Sequence, residues 1–565
     1  MSSGALEIIF LWHMHQPDYR DHARSEFTLP WSYLHALKDY TDMAAHLERH
    51  PRIHAVVNLV PVLLDQLEDY TEQFATGNWR DPLLRLLAEP DLGRLGAAER
   101  KLLLDTCFRS NHLNVIAQFQ RYKRLHDLFR IIEGQDEAAL AYLSAAYFAD
   151  LVTWYHLAWT GETERRRQPL VAALMAKGEG FTADDRRQLV GLMGELVRGV
   201  IPRYRALAAS GQIELSTTPH THPLAPLLID FASAREAEPN AELPVAACYP
   251  GGRARTTAQL EHAIASHTVR FGAPPAGVWP AEGAVSNALL KLIAAPGCRW
   301  TAASESVLAH SLRQAGRELP PREQYLYRPY RVESAPGVAV FFRDEQLSDL
   351  VGFEYRKWHG RDAAADFISR LHAIRRQAPA GETAVVTVIL DGENAWEHYP
   401  YNAHYFFEEL YALLEADPQL RTTTCADFIA RHPNATRTLP GVVAGSWVYG
   451  TLSTWIGHPD KNRAWDLLCA AKQTYDLVVG SGRLSAEEER AAAAQLSACE
   501  SSDWFWWLGD RNPRHTVASF DRLFRLNLSN LYRRLKVEPP LVLAEPVSHG
   551  GGAAPEGNGT MRRAG

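Results

Sequence analysis

The residues able to do chemistry fall in short clusters: His13-Met14-His15-Gln16-Pro17, Glu214 with His220 and His222 beyond it, Trp279-Pro280-Ala281-Glu282, Arg343-Asp344, Asp391-Gly392-Glu393 and Asp503-Trp504-Phe505-Trp506-Trp507. Cleaving a glycosidic bond takes two facing carboxyl groups, one to protonate the leaving oxygen and one to attack or to activate water. Glu282 and Asp391 fit that demand. Trp279, Trp396 and Trp504 offer ring faces for sugars, and His13, His15 and Arg343 can bind hydroxyls and hold a nucleophilic carboxylate ionised. Two other chemistries draw on the same residues. His13-x-His15 with His220, His222 and a late Asp resembles the ligand set of a metal-dependent hydrolase. An aromatic cleft alone would serve an inactive carbohydrate-binding protein; loss of either carboxylate would favour that reading, and both are present. Structural readings stand beside these: a histidine after a strand is often hydrogen-bonded scaffold, an acidic residue there often caps the next helix, and the aromatic run after Asp503 can plug a core. Arg165-Arg166-Arg167 reads as a solvated face.

Such groups need a frame. Seven short β-branched or aromatic runs end in polar residues, the pattern of buried parallel strands: Glu7–Trp12, Ala55–Leu59, Ile213–Thr217, Gly277–Trp279, Arg299–Ala303, Val338–Phe342 and Ala384–Leu390. Helical spacing between most of them gives βα units, and in a parallel β/α barrel reactive groups collect where the strands end. The clusters sit at those ends. The stretch from Leu59 to Ile213 exceeds one crossover and is predicted to be a helical insertion, about 60–210. The catalytic barrel is expected over 1–402, a mostly helical region completing the cleft over 403–547, and a disordered tail over 548–565, which is rich in Gly, Ala and Pro.

Composition narrows the classes. The 565 residues permit three or four ordinary domains or one large barrel with additions, and 46% hydrophobic with 22% charged residues is a globular balance. A net charge of −7 offers no nucleic-acid footprint. No apolar run reaches the ~18 residues of a membrane span, and no export signal precedes the first strand. Six scattered cysteines without a CxxC pair read as reduced thiols, so the expectation is a cytoplasmic protein.

Five ordered segments carry a family resemblance: His13–Pro17; Gly211–Glu214 continuing to His222-Pro223; Gly277–Glu282; Leu390-Asp391-Gly392-Glu393-Asn394-Ala395-Trp396-Glu397-His398-Tyr399; and Ser502–Trp507. In these the chain resembles glycoside hydrolase family 57, most closely its amylopullulanase and α-amylase type, over roughly residues 6 to 540. The resemblance implies an α/β fold, an incomplete (β/α)7 barrel with a helical C-terminal region. It implies a retaining mechanism on α-glucans, with Glu282 as nucleophile and Asp391 as general acid/base. It places His13, His15, Glu214, Trp279, Arg343, Trp396, Trp455 and Asp503 on or beside segments lining the donor-side subsites. No cofactor is expected, since two carboxyl groups need no Lewis acid. The family also contains 4-α-glucanotransferases and branching enzymes, so transfer stands beside hydrolysis. The expected partner is an α-glucan oligo- or polysaccharide, with no nucleic acid and no membrane.

Overall fold

The computed structural model describes residues 5–134, 137–379 and 381–552. All seven expected strands form: β1 (Leu6–Met14), β2 (Ala55–Leu59), β3 (Ile213–Ser216), β4 (Gly277–Val278), β5 (Trp300–Ser304), β6 (Ala335–Arg343) and β7 (Val385–Asp391). They pair in parallel in the order β3-β2-β1-β7-β6-β5-β4. A Thr217–Val278 bridge and the Trp279 amide, 3.0 Å from the Thr217 carbonyl, bring the two ends together. The β6–β7 seam is the loose one, paired only at Arg343 and Thr387. The result is a nearly closed (β/α)7 barrel.

The period-two alternation of a strand decides which residues look into this barrel. On β1, Ile9 and Leu11 join Val56, Trp300, Ala302, Ala339, Phe341 and Ile389 in the interior cluster, while Ile8, Phe10 and Trp12 pack outward. Continuing the inward set by two residues reaches His13 on β1, Asn58 on β2, Ser216 on β3, Arg343 on β6 and Asp391 on β7. The strands thus carry apolar rungs below and a polar rung at their carboxyl ends.

Between β2 and β3 the chain is helical, from Pro61–Thr76 through Ala145–Ala158 to Ala183–Ala209. After residue 403 it returns twice to the sheet, the second time at Arg437–Leu439, parallel to Tyr330–Val332 on the flank of β6. β8 (Leu420–Thr422) runs parallel to the start of β1, and Cys425 and Phe428 of the following helix join the interior cluster. Helices Pro459–Gly480, Ala486–Cys499, Ser502–Trp507 and Arg514–Arg534 then pack together. Of the expected disordered tail, 548–552 is held down: Ser548 accepts from the Gly509 amide at 2.9 Å and the Gly552 amide donates to the Asn512 carbonyl at 3.2 Å. Residues 553–565 lie outside the described residues. Among the described residues no helix is long and apolar enough to cross a membrane.

Candidate active site

A cavity of about 1600 Å3 opens over the carboxyl ends of the strands, walled by the insertion (Arg109, Trp159), the 447–458 loop and residues 503–520. Strand parity delivers His13, Arg343 and Asp391 to its floor, and all three line it together with His15, Glu282 and Asp503.

Glu282 follows β4 on a single tight turn and has a left-handed backbone (φ 59°, ψ 21°), a costly conformation for a residue with a Cβ and one that clusters at functional sites. Gly283 is left-handed too, and a Cβ there would stand 2.7 Å from the Trp279 ring, so only glycine fits. The Trp447 indole N–H donates to Glu282 Oε2 at 3.1 Å, and Ser502 Oγ lies 3.0 Å from Oε1. Asp391 is held from one side by the Asn394 amide, which donates to Oδ2 at 2.8 Å.

Burial governs the electrostatics. It pushes the Glu282 carboxyl up to about 8, helped by the nearby Asp503 and Asp391 charges and opposed by the Ser502 and Trp447 hydrogen bonds. Burial also raises Asp391 to about 6, against the Asn394 hydrogen bond and the His15 and Arg343 charges. The expectation that His13, His15 and Arg343 hold the nucleophile ionised is corrected here. Burial drives His13 down to about 3 and leaves it neutral. Arg343 donates from Nε to the Ile389 carbonyl and from Nη2 to Asp349, both at 2.8 Å. His15 Nε2 lies 2.8 Å from Asp503 Oδ2. Among the described residues no arginine or lysine hydrogen-bonds Glu282. Glu393, also buried, is pushed well above its ordinary range and accepts from the His15 amide at 3.2 Å.

Five residues expected at the substrate do not reach the cavity. Glu214 faces inward but sits two residues before Ser216 and so one rung, roughly 6–7 Å, deeper; its oxygens are taken by the Trp300 indole (2.5 Å) and the Ala426 amide (2.9 Å). Trp279 lies fully buried in the interior cluster, its ring 5.3 Å from Trp447. Trp396 packs against Trp12 and Phe407 and ties its indole N–H to the Gly392 carbonyl at 2.8 Å, which braces the turn after Asp391. Trp455 stands buried behind Trp506, and Trp504 points into the helical region and donates to the Ala498 carbonyl. The aromatic residues that do line the cavity include Trp31, Trp159, Trp447, Tyr449, Trp506 and Trp507. Trp506 and Trp507 belong to the run noticed in sequence; Trp447 and Tyr449 lie in an irregular loop that offers no periodic signal.

The imidazoles assemble differently from the expected metal set. His13 has Nδ1 at 2.7 Å from Asn58 and Nε2 at 3.1 Å from His222, and His220 turns away to Asp65. Among the described residues two sets bring ligand atoms within 4.8 Å of one another, His15, His222 and Asp503 at the cavity and His46, His404 and Glu408 away from it.

A buried and a half-buried carboxyl group at the carboxyl ends of a (β/α)7 barrel, beneath an aromatic-walled cleft, are the apparatus of an enzyme acting on glycosidic bonds. The profile of Glycosyl hydrolase family 57 matches residues 9–440, and the chain belongs to that family. Among solved structures, the fold is similar to a family 57 branching enzyme from Thermococcus kodakaraensis (16% identity, 94% of this chain and 90% of that one, TM-score 0.56). It is similar to a branching enzyme from Pyrococcus horikoshii (16%, 98% and 98%, 0.56) and to the α-amylase AmyC from Thermotoga maritima (14%, 96% and 99%, 0.54). Curated protein sequences give no match.

Proposed function

We propose that this protein is a retaining enzyme on α-glucans that cleaves α-1,4 linkages, with α-1,6 linkages as the second candidate, by double displacement, with Glu282 as nucleophile and Asp391 as acid/base. The observation that carries the reading is the pair itself: a buried Glu282 and a half-buried Asp391, both with raised affinity for protons and the first braced by Trp447 and Ser502, at the floor of a cavity large enough for several sugar rings. Asp391 gives its proton to the glycosidic oxygen as Glu282 attacks the anomeric carbon; the C–O bond breaks and a glycosyl ester forms. Ionised Asp391 then takes a proton from water or from a sugar hydroxyl, whose oxygen displaces Glu282. The branching enzymes and the α-amylase among the similar structures support an α-glucan substrate and leave both acceptors in play. Five buried cysteines and an exposed one, none in a disulfide, support a reducing compartment, the cytoplasm.

Incubation with maltoheptaose and with pullulan, with products resolved by length, tests the activity. Shorter products alone mean hydrolysis, longer ones mean transfer, and cleavage of pullulan means α-1,6 action. Azide tests the roles: Glu282→Ala should give a β-glycosyl azide and Asp391→Ala an α-linked product. Reversed anomers would exchange the assignments, and full activity of both variants would overturn the proposal.

A further inference from the structure

Glu282 is the last member of an unbroken line of hydrogen-bonding groups that begins on β2. Asn58 Oδ1 lies 2.7 Å from His13 Nδ1, His13 Nε2 lies 3.1 Å from His222 Nε2, His222 Nδ1 lies 2.9 Å from Ser502 Oγ, and Ser502 Oγ lies 3.0 Å from Glu282 Oε1. Every member but Glu282 is at most 2% exposed. Burial, with repulsion from His15, holds both imidazoles neutral, so each carries one ring proton. The Trp447 indole only donates, so Oε2 of Glu282 accepts in both states, and a carboxyl proton on Oε1 faces Ser502.

Counting donors along this line leaves two arrangements that satisfy every contact. With Glu282 protonated, Oε1–H donates to Ser502, Ser502 to His222 Nδ1, His222 Nε2–H to His13, and His13 Nδ1–H to the Asn58 carbonyl. With Glu282 ionised, Ser502 donates to Oε1, His222 carries its proton on Nδ1 and donates to Ser502, and His13 carries its proton on Nε2 and donates to His222. His13 Nδ1 then needs a donor, which Asn58 supplies by turning its amide. Asn58 Nδ2 is bonded to Ser216 Oγ at 3.0 Å, and Thr218 Oγ1 lies 3.0 Å from the carbonyl oxygen. A hydroxyl both donates and accepts, so these two neighbours tolerate either orientation of the amide.

We propose that Asn58, His13, His222 and Ser502 form a reversible hydrogen-bond relay whose polarity is tied to the ionisation of Glu282, with Asn58 as the positioning residue that lets the line be satisfied in both states. Each imidazole exchanges a proton at one nitrogen for a proton at the other and gains no charge; the only proton that leaves is that of Glu282. The other titratable groups facing Glu282 are Asp391 from β7, Asp503 from the 502–507 helix and His15 after β1, and none of them is a member of the line. The inference deepens the reading of Glu282 as nucleophile, because it says how a buried carboxylate is kept supplied with a donor.

Neutron diffraction on crystals of the deuterated full chain at about pD 6 and about pD 10 tests it, on either side of the Glu282 transition. The expected result is deuterium on His13 Nδ1 and His222 Nε2 at the lower value, on His13 Nε2 and His222 Nδ1 at the higher, with the Asn58 amide turned between them. In Ser502→Ala the histidine tautomers should no longer follow pD, and kcat/KM should fall about tenfold for want of one donor to a carboxylate. Ser502→Thr should restore both readouts, as a merely structural defect would not. The same protonated nitrogens at both pD values, or two deuterons on either ring, would overturn the relay. The diffraction reads protons without turnover, so its outcome is independent of azide rescue, which decides separately whether Glu282 is the nucleophile.

Discussion

Replacing Trp447 with phenylalanine removes one hydrogen-bond donor and leaves most of an aromatic surface. The indole N–H donates to Glu282 Oε2 at 3.1 Å, and its ring rests edge-on against Trp279 at 5.3 Å. A hydrogen bond to a charged group contributes about 1.5–3 kcal/mol, and one pKa unit corresponds to about 1.4 kcal/mol, so Glu282 should bind its proton about 1–2 units more tightly in Trp447→Phe. With Glu282 at about 8 and Asp391 at about 6, the pair holds one proton between those values. The productive form, with the proton on Asp391 and Glu282 ionised, is then the minor one. Tightening Glu282 further depletes it. The kcat/KM plateau should drop about ten- to a hundred-fold and its alkaline limb should move up by about 1–2 units, while KM changes little because the ring face remains. Profiles of kcat/KM against pH on maltoheptaose, wild type against variant, measure both shifts. A plateau and limb that both stay put would refute the claim that ionised Glu282 is the reacting group.

Three further outcomes are expected. Glu282 has its carboxyl raised from 4.5 to about 8 on folding, so the folded state resists ionisation and stability is lost as pH rises through that window; Glu282→Gln, which cannot ionise, should gain stability over wild type across it, on the order of 3–5 kcal/mol, read as Tm difference against pH, and a pH-independent difference would refute the raised value. Trp504→Ala and Trp455→Ala, both at fully buried rings, should lose about 3–5 kcal/mol of stability as large cavities form; variants that keep the wild-type Tm and lose only glucan affinity would put those rings back in the cleft. EDTA should leave turnover unchanged, because both ring nitrogens of His13 and of His222 are already hydrogen bonded and His15 Nε2 is held by Asp503; loss of activity restored by zinc or manganese would assign His15, His222 and Asp503 to a metal.

The sequence by itself determined the barrel and its polar rim. Seven runs such as Glu7–Trp12 and Ala384–Leu390 carry their strand identity locally, in β-branched content and length, and each lies in a strand of the sheet. His13, Arg343 and Asp391 were legible because strand parity and the direction of a parallel sheet are properties of short segments. Tertiary structure decided everything that depends on depth or on distant segments. Glu214 and Ser216 share one face of β3, yet one is tied to Trp300 a rung below the cavity floor and the other accepts from Asn58, where the relay begins. Trp504 and Trp506 are two residues apart on a helix, which turns them to different sides, so one fills a core and the other meets the cleft. Ser502 and Trp447 brace Glu282 from 220 and 165 residues away, a proximity no local pattern encodes. The state of Glu282 is the clearest case: nearby sequence suggested cations to hold it ionised, but the proton affinity of a carboxyl is set by how much water the assembled fold removes, and here burial outweighs every charge that reaches it.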